Sequence, residues 1–259
     1  MRFFDCNAFF GLPMKRPLAP VATAEELLAE MDRAGVERAL AWHVAQHDAS
    51  PQMGNELLAK AIAPHPRLVG CWTILPNQTR EFPAPQAFFQ QMREARVAAL
   101  RIFPSSHRFL ARAVSLDSWL GPMAERRIPL ILSVRRGMDW RDVYDFLRDV
   151  PDLLCILCDH GCWGQDRLFR PLMERYPNLH IDLAQYLLDG GIEALVASNR
   201  IGADEFGGLH ERLVDAELFD ERGHLAEELH DALRVGRVAL EARLEHDRLG
   251  AAPQGDREG

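Results

Sequence analysis

No uninterrupted apolar run in these 259 residues approaches the roughly 20 that a membrane-spanning helix requires. Excess positive charge is missing as well. The formal net charge is -8, so nucleic acid and anionic membrane surfaces would repel a chain that shows no basic patch. The opening Met1-Arg2-Phe3-Phe4-Asp5 meets an acid too early for a secretion signal, and the expected location is the cytoplasm. Cysteine is present five times, an odd number that fits reduced cytosolic thiols better than a disulfide framework. No Gly-x-Gly-x-x-Gly follows the first strand, which leaves a dinucleotide site without support. The expected partner is therefore a small-molecule substrate, with no nucleic acid and no membrane; a homo-oligomer is left open.

What is present is regular. Hydrophobic residues make up 47% of the chain, enough for an ordinary core, and the length suits one (β/α)-barrel or two small domains. Short apolar runs alternate with segments of helical period through the first 200 residues. The strands predicted are Phe3 to Cys6, Ala39 to His43, Leu68 to Trp72, Ala98 to Phe103, Leu130 to Val134, Leu154 to Cys158 and His180 to Leu183. All but the last are near-continuously apolar, as burial on both faces of a parallel sheet demands. Thr23 followed by Glu26 reads as a capping-box start, with Leu27, Leu28, Met31 and Ala34 on one face and Gly35 as the stop. Later helices are predicted over Asn55 to Ala63, Gln86 to Ala95, Ser118 to Arg126, Trp140 to Val150, Leu168 to Tyr176 and Gly191 to Asn199. A strand–helix repeat of this kind suits a barrel or an open doubly wound sheet, and the even spacing of seven units favours an α/β fold of the (β/α)8 TIM-barrel type. Seven regular strands are visible and an eighth is not.

The last fifth differs in kind. From Asp204 onward Trp, Tyr, Met, Cys and Lys are absent, and Asp, Glu and Arg supply 22 of 56 residues. Leu225, Leu229, Leu233, Leu240 and Leu244 recur there at helical spacing. The domain organisation expected is a β/α barrel over 1–203, a helical segment over 204–250 that packs on it, and a disordered tail over 251–259. A final barrel helix with a tail and a C-terminus altered by a frame shift or gene remodelling fit this composition equally well.

Three passages carry a likeness to known proteins. The first is Phe3-Phe4-Asp5-Cys6-Asn7-Ala8-Phe9-Phe10-Gly11. The second is Leu100-Arg101-Ile102-Phe103-Pro104 followed by Arg127-Ile128-Pro129-Leu130-Ile131-Leu132. The third is Leu157-Cys158-Asp159-His160-Gly161 with Tyr176-Pro177-Asn178-Leu179-His180-Ile181-Asp182. Together with the helix from Thr23 to Gly35 they cover most of residues 1–203, and over that span the chain resembles the amidohydrolase-related family, TIM barrels that include many metal-dependent hydrolases and some decarboxylases. The resemblance implies a mononuclear metal held by a His-x-His pair after strand one, a histidine after strand five and an aspartate after strand eight, with a further histidine after strand six. This sequence departs at nearly every ligand. Asp5-Cys6-Asn7 stands in place of His-x-His, Ser133-Val134-Arg135 follows strand five with a cation of its own, and no Gly-Ser-Asp or Gly-Thr-Asp turn follows a late strand. Asp204 reads as a solvated loop acid. Only His160 is in register, and one imidazole does not hold zinc, which in catalytic sites usually has three protein ligands. No cofactor is expected, zinc being the metal that an intact site of this type would take.

His160 invites a metal-free reading, since imidazole titrates near neutrality and can serve as general base at the strand end where barrels place chemistry. A structural histidine capping the strand is the plainer alternative. Arg101 stands inside an otherwise apolar strand, where a guanidinium must find an anion. That anion is either the substrate or, as a structural pair, Asp5 or Asp182. His43, ending strand two, with His47 and Asp48 just beyond it, and His107 could line the same mouth or be ordinary loop residues. Trp163 and Trp72 could pack on an apolar part of a substrate or complete the core. Cys155, Cys158 and Cys162 tempt a metal reading, but residues 155 and 158 fall on opposite faces of a strand, so their thiols diverge. The function expected is hydrolysis of a small carboxylated, lactone or amide substrate by metal-independent general base catalysis. His160 and Arg101 are the catalytic candidates, and Asp5, Asn7, His43, His107, Arg135 and Trp163 the substrate-binding ones. The other reading is a catalytically inactive barrel kept as a ligand-binding or assembly subunit.

Overall fold

The computed structural model describes residues 3–15, 20–161, 165–182, 186 and 195. Among these residues, seven strands form one sheet: β1 (Phe3–Phe10), β2 (Val36–His43), β3 (Leu68–Thr73), β4 (Val97–Ile102), β5 (Leu130–Ser133), β6 (Cys155–Cys158) and β7 (Leu179–Ile181). Every neighbouring pair is parallel, and the spatial order is the chain order from β1 to β7. A doubly wound sheet reverses its strand order at a switch point; this one never does. The sheet also curls. Arg101 of β4 reaches Asn7 of β1 at 2.6 Å, and the Asn7 amide lies 3.5 Å from the Asp182 carboxylate just beyond β7. The fold is thus a TIM-type half-barrel of seven parallel strands. The helical segment expected over 204–250, the tail over 251–259, the helix expected over Gly191 to Asn199, and Cys162, Trp163 and Asp204 lie outside the described residues.

Among the described residues, eight α-helices accompany the strands: α1 (Ala24–Ala34), α2 (Ala45–Asp48), α3 (Pro51–Ile62), α4 (Pro85–Glu94), α5 (Pro104–His107), α6 (Ala113–Glu125), α7 (Trp140–Asp149) and α8 (Asp166–Arg175). The start of α1 is the one its sequence announces. Thr23 Oγ1 accepts from the Glu26 N–H, the Glu26 carboxylate reaches back to the Ala22 N–H, and Gly35 ends the helix at φ 70°. Helix α7 carries a complete capping box between Asp139 and Asp142. Other boundaries moved. Helix α3 begins four residues before Asn55, because Ser50 caps it and Pro51 pre-sets its first turn. Helix α6 begins at Ala113 rather than Ser118, and Arg112 before it is held by Asp149 of α7 at 2.7 Å. Strand β1 runs to Phe10 rather than stopping at Cys6. A register shift between Asp5 and Ala8 lets the strand continue while both Asp5 and Asn7 meet the polar groups of the interior.

Alternation along the strands sorts the side chains into two cores. Ala39, Ala41, Leu68, Leu100, Ile102, Leu130, Leu132, Cys155 and Leu157 pack with the helices. Leu40, Trp42, Val69, Cys71, Ala99, Phe103, Ile131, Ile156 and Cys158 fill the barrel interior. Cys155 and Cys158 therefore do face opposite ways. Burial pushes the Cys155 thiol far up, and it raises the Cys71 thiol to about 11 against the opposing pull of the Arg101 guanidinium beside it.

Candidate active site at the strand C-terminal mouth

Asp5, Cys6 and Asn7 of β1, Arg101 of β4, Cys158 of β6 and Asp182 after β7 converge inside the barrel near the strand C-terminal ends. Arg101 is wholly buried. Its Nη2 donates to Asn7 Oδ1 at 2.6 Å, and its guanidinium lies 4.4 Å from the centre of the Trp42 ring and 5.4 Å from that of Phe103. Nε and Nη1 have no hydrogen-bond partner among the described residues. The structural pair with Asp5 or Asp182 is thus replaced by a neutral amide, and the cation is left under-satisfied in the low-dielectric interior.

Asn7 is oriented by that bond. With its oxygen committed to Arg101, its Nδ2 points to Asp182 Oδ2 at 3.5 Å, and its backbone N–H donates to Asp5 Oδ1 at 2.8 Å. Burial raises the Asp5 pKa above its ordinary value against the opposing pull of the Asn7 N–H, and the negative charge of Asp182 raises it further. Asp5 is thus biased to hold its proton.

His160 takes a different direction from the one its register suggests. Asp159 adopts the left-handed conformation, φ 55°, and turns the chain as it leaves β6. The His160 ring packs against Phe169 of α8 at 5.6 Å and Tyr186 at 6.4 Å, and is 3% exposed. Its Nε2 donates to the Asp182 carbonyl at 2.6 Å, which leaves Nδ1 as the lone-pair nitrogen, buried and unpartnered among the described residues. The imidazole thereby holds the chain segment that carries the Asp182 carboxylate.

Of the other candidates, His43 is half-buried at the end of β2, where its Nδ1 accepts from the Ala45 N–H and burial lowers its pKa. His107 stands edge-on to Phe103 at 5.8 Å, its pKa lowered by burial and by nearby His47. Arg135 is exposed, and its guanidinium lies over Gly161, the residue after His160. Trp72 packs among the helices beside Phe88, so it completes the core.

On the rim, His47 and Asp48 gather with Ser106 and Arg136, two residues that sequence reasoning passed over. Ser106 Oγ lies 2.9 Å from His47 Nε2, and His47 Nδ1 lies 2.5 Å from Asp48 Oδ1. Arg136 reaches across the mouth over Phe9 at 4.8 Å and toward Asp159 at 3.5 Å, while Ser133 Oγ donates to the same Asp159 oxygen. The one signal available in sequence was placement, since His47, Asp48, Ser106, Arg136 and Asp159 each follow a predicted strand.

The described residues do not fit a divalent metal at the place the resemblance implies. Asn7 Oδ1 is taken by a guanidinium, Arg101 puts positive charge where the cation would sit, and His160 Nε2 is bound to a carbonyl. No group of three His, Cys, Asp or Glu with metal-binding geometry occurs among the described residues. Among these residues, too, no helix is long and apolar enough to cross a membrane.

No family model and no curated protein matches the chain. Solved structures do. An uncharacterised TIM-barrel protein from Bordetella bronchiseptica superposes with a TM-score of 0.55 at 18% identity, over 92% of this chain and all of that one. Two candidate 2-pyrone-4,6-dicarboxylic acid hydrolases follow. The one from Pseudomonas putida has a TM-score of 0.51 at 15% identity over 89% of each chain. The one from Acinetobacter baumannii, with citric acid bound, has a TM-score of 0.51 at 12% identity over 82% of each. At these identities the likeness shows the TIM-barrel fold alone.

Proposed function

We propose that the chain is a hydrolase of small carboxylated substrates that works in the barrel mouth by general base catalysis without a metal. One observation carries this reading: a fully buried guanidinium whose Nε and Nη1 find no partner among the described residues. Taking a charge out of water costs several kcal/mol, and a substrate carboxylate returns that cost by accepting from Arg101 between the Trp42 and Phe103 rings. The two fold neighbours named for a dicarboxylic acid, one of them holding citric acid, support the same substrate class.

Each remaining polar group has a role that its geometry allows. The Asp182 carboxylate accepts the proton of the attacking water, Asn7 Nδ2 donates to the carbonyl oxygen as it gains charge, and Asp5 returns a proton to the leaving group. His160 is a positioning residue that keeps the Asp182 segment in place. Arg135, exposed above Gly161, supplies a second cation for a dicarboxylate.

The test is turnover of carboxylated lactones and esters in the presence of chelator, with each substrate's methyl ester for comparison. Chelator-resistant hydrolysis that prefers the free acid and falls about 100-fold or more in Arg101→Gln supports the reading. Chelator-sensitive hydrolysis, or equal rates on acid and methyl ester, overturns it. Binding of the acid with no turnover assigns the mouth to ligand binding instead.

A further inference from the structure

The rim of the barrel holds a second set of groups that the interior site does not use. His47 and Asp48 end the short helix after β2, Ser106 lies in the turn of helix after β4, and Arg136 follows β5. Asp48 is fixed at both oxygens: Oδ1 meets His47 Nδ1 at 2.5 Å, and Oδ2 accepts the Met14 N–H at 2.8 Å. Burial alone would raise its pKa, but those two hydrogen bonds and the charge of Arg136 outweigh burial and keep it ionised. A carboxylate held this way anchors the imidazole through Nδ1 and turns Nε2 toward Ser106 and the Arg136 carbonyl. Ser106 Oγ stands 2.9 Å from that Nε2, its side chain exposed, and the His47 ring is steadied edge-on against Phe103 at 4.8 Å. The carbonyl of Arg136 lies 3.0 Å from both His47 Nε2 and Ser106 Oγ. Ser106 Oγ donates to that carbonyl, and because a carbonyl only accepts, Nε2 meets it as a donor; the ring serves as base in the form that has given up this Nε2 proton.

We propose that Ser106, His47 and Asp48 form a nucleophilic triad that hydrolyses small esters through an acyl-serine intermediate. This goes beyond the carboxylate chemistry of the interior, since it needs neither Arg101 nor Asp182. Ser106 Oγ attacks the ester carbonyl carbon while its proton passes to His47 Nε2. The tetrahedral intermediate collapses, the C–O bond to the alcohol breaks, and His47 returns the proton to the departing oxygen. Water then attacks the acyl-serine with His47 as base, and collapse releases the carboxylic acid and restores the Ser106 hydroxyl. Oxidation states do not change, and water is the only co-reactant.

The experiment is labelling of the full chain with a fluorophosphonate, the site read by peptide mass, alongside burst kinetics on p-nitrophenyl acetate. The expected result is one adduct per chain on Ser106, a burst of matching size, and loss of both in Ser106→Ala and His47→Gln, with ester hydrolysis lower by about 1,000-fold. Ser105→Ala, at the exposed neighbouring serine, labels as the parent does. Labelling reads the rim alone, and turnover of carboxylated lactones measured in Ser106→Ala reads the interior alone, so failure of the interior reading and failure of this one report separately. Absence of an adduct on Ser106, or ester hydrolysis equal in Ser106→Ala and the parent, overturns the proposal.

Discussion

Arg101 and Asn7, 94 residues apart, meet inside the barrel at 2.6 Å, a guanidinium bonded to a neutral amide where an ion pair would be the ordinary arrangement. The pairing orients Asn7 and leaves positive charge unneutralised. Stability and function then pull in opposite directions at Arg101.

Arg101→Met should therefore leave folding stability unchanged or raise it by about 1–2 kcal/mol in urea denaturation, because an apolar side chain of similar length suits the Trp42–Phe103 slot. Citrate should raise the Tm of the parent and not that of the variant. A loss of more than about 2 kcal/mol would show instead that the cation holds the barrel together.

Asp5 gives stability a pH dependence of known sign. Its folded pKa is raised above 3.8, so the folded state favours the protonated acid, and the stability linked to Asp5 is complete below that value and is lost as pH rises through the folded pKa. Asp5→Asn removes that loss. Urea midpoints from pH 3 to 8 should show the variant gaining on the parent as pH rises, with the gap closing toward pH 3. A pH-independent difference would contradict the raised pKa.

The short helix bearing His47 and Asp48 rests on a buried network. Gln46 Nε2 donates to Asn55 Oδ1 at 2.7 Å and to the Cys71 carbonyl at 3.0 Å, while Asn55 accepts from the Thr73 N–H and donates to the Thr73 carbonyl, both at 2.9 Å. Asn55→Ala strands these partners and should cost about 3 kcal/mol. Gly54→Ala attacks the same place sterically, since its Cβ would stand 2.3 Å from the Gln46 backbone nitrogen. Rim ester hydrolysis should fall in Gly54→Ala even where circular dichroism shows a folded barrel.

Gly161 links the two halves of the mouth. It adopts φ 96°, and a Cβ there would stand 2.8 Å from Arg135 Nη2. Gly161→Ala should cost about 1–2 kcal/mol in backbone strain and displace the guanidinium. For the interior reaction this predicts a KM for a dicarboxylate that rises while the KM for a monocarboxylate changes little. Equal effects on both would remove Arg135 from substrate binding.

Much of the fold is legible in the residues themselves. Strands of near-continuous apolar character have to be buried on both faces, so a parallel sheet covered by helices follows from Leu68 to Trp72 or Leu130 to Val134 directly. The cap at Thr23 and the stop at Gly35 are local chemistry and stand where they were expected. Boundaries set by distant contacts were not legible: α6 starts early beside an Arg112–Asp149 pair, and β1 runs on through a bulge. The site follows the same division. Arg101 stood out as a charge in an apolar strand, whereas Ser106 looked like any loop serine.

The order of apolar and polar residues by itself determined the alternation of strands and helices, the two-faced burial of the sheet and the departure from a histidine metal site. Only the tertiary structure decided which polar groups meet: Arg101 with Asn7 rather than with Asp5 or Asp182, His160 against Phe169, and Ser106 with His47 across 59 residues. The physical reason is range. Burial and capping act over a turn or a strand, but a hydrogen bond across the barrel depends on the curl and register of every strand between its ends.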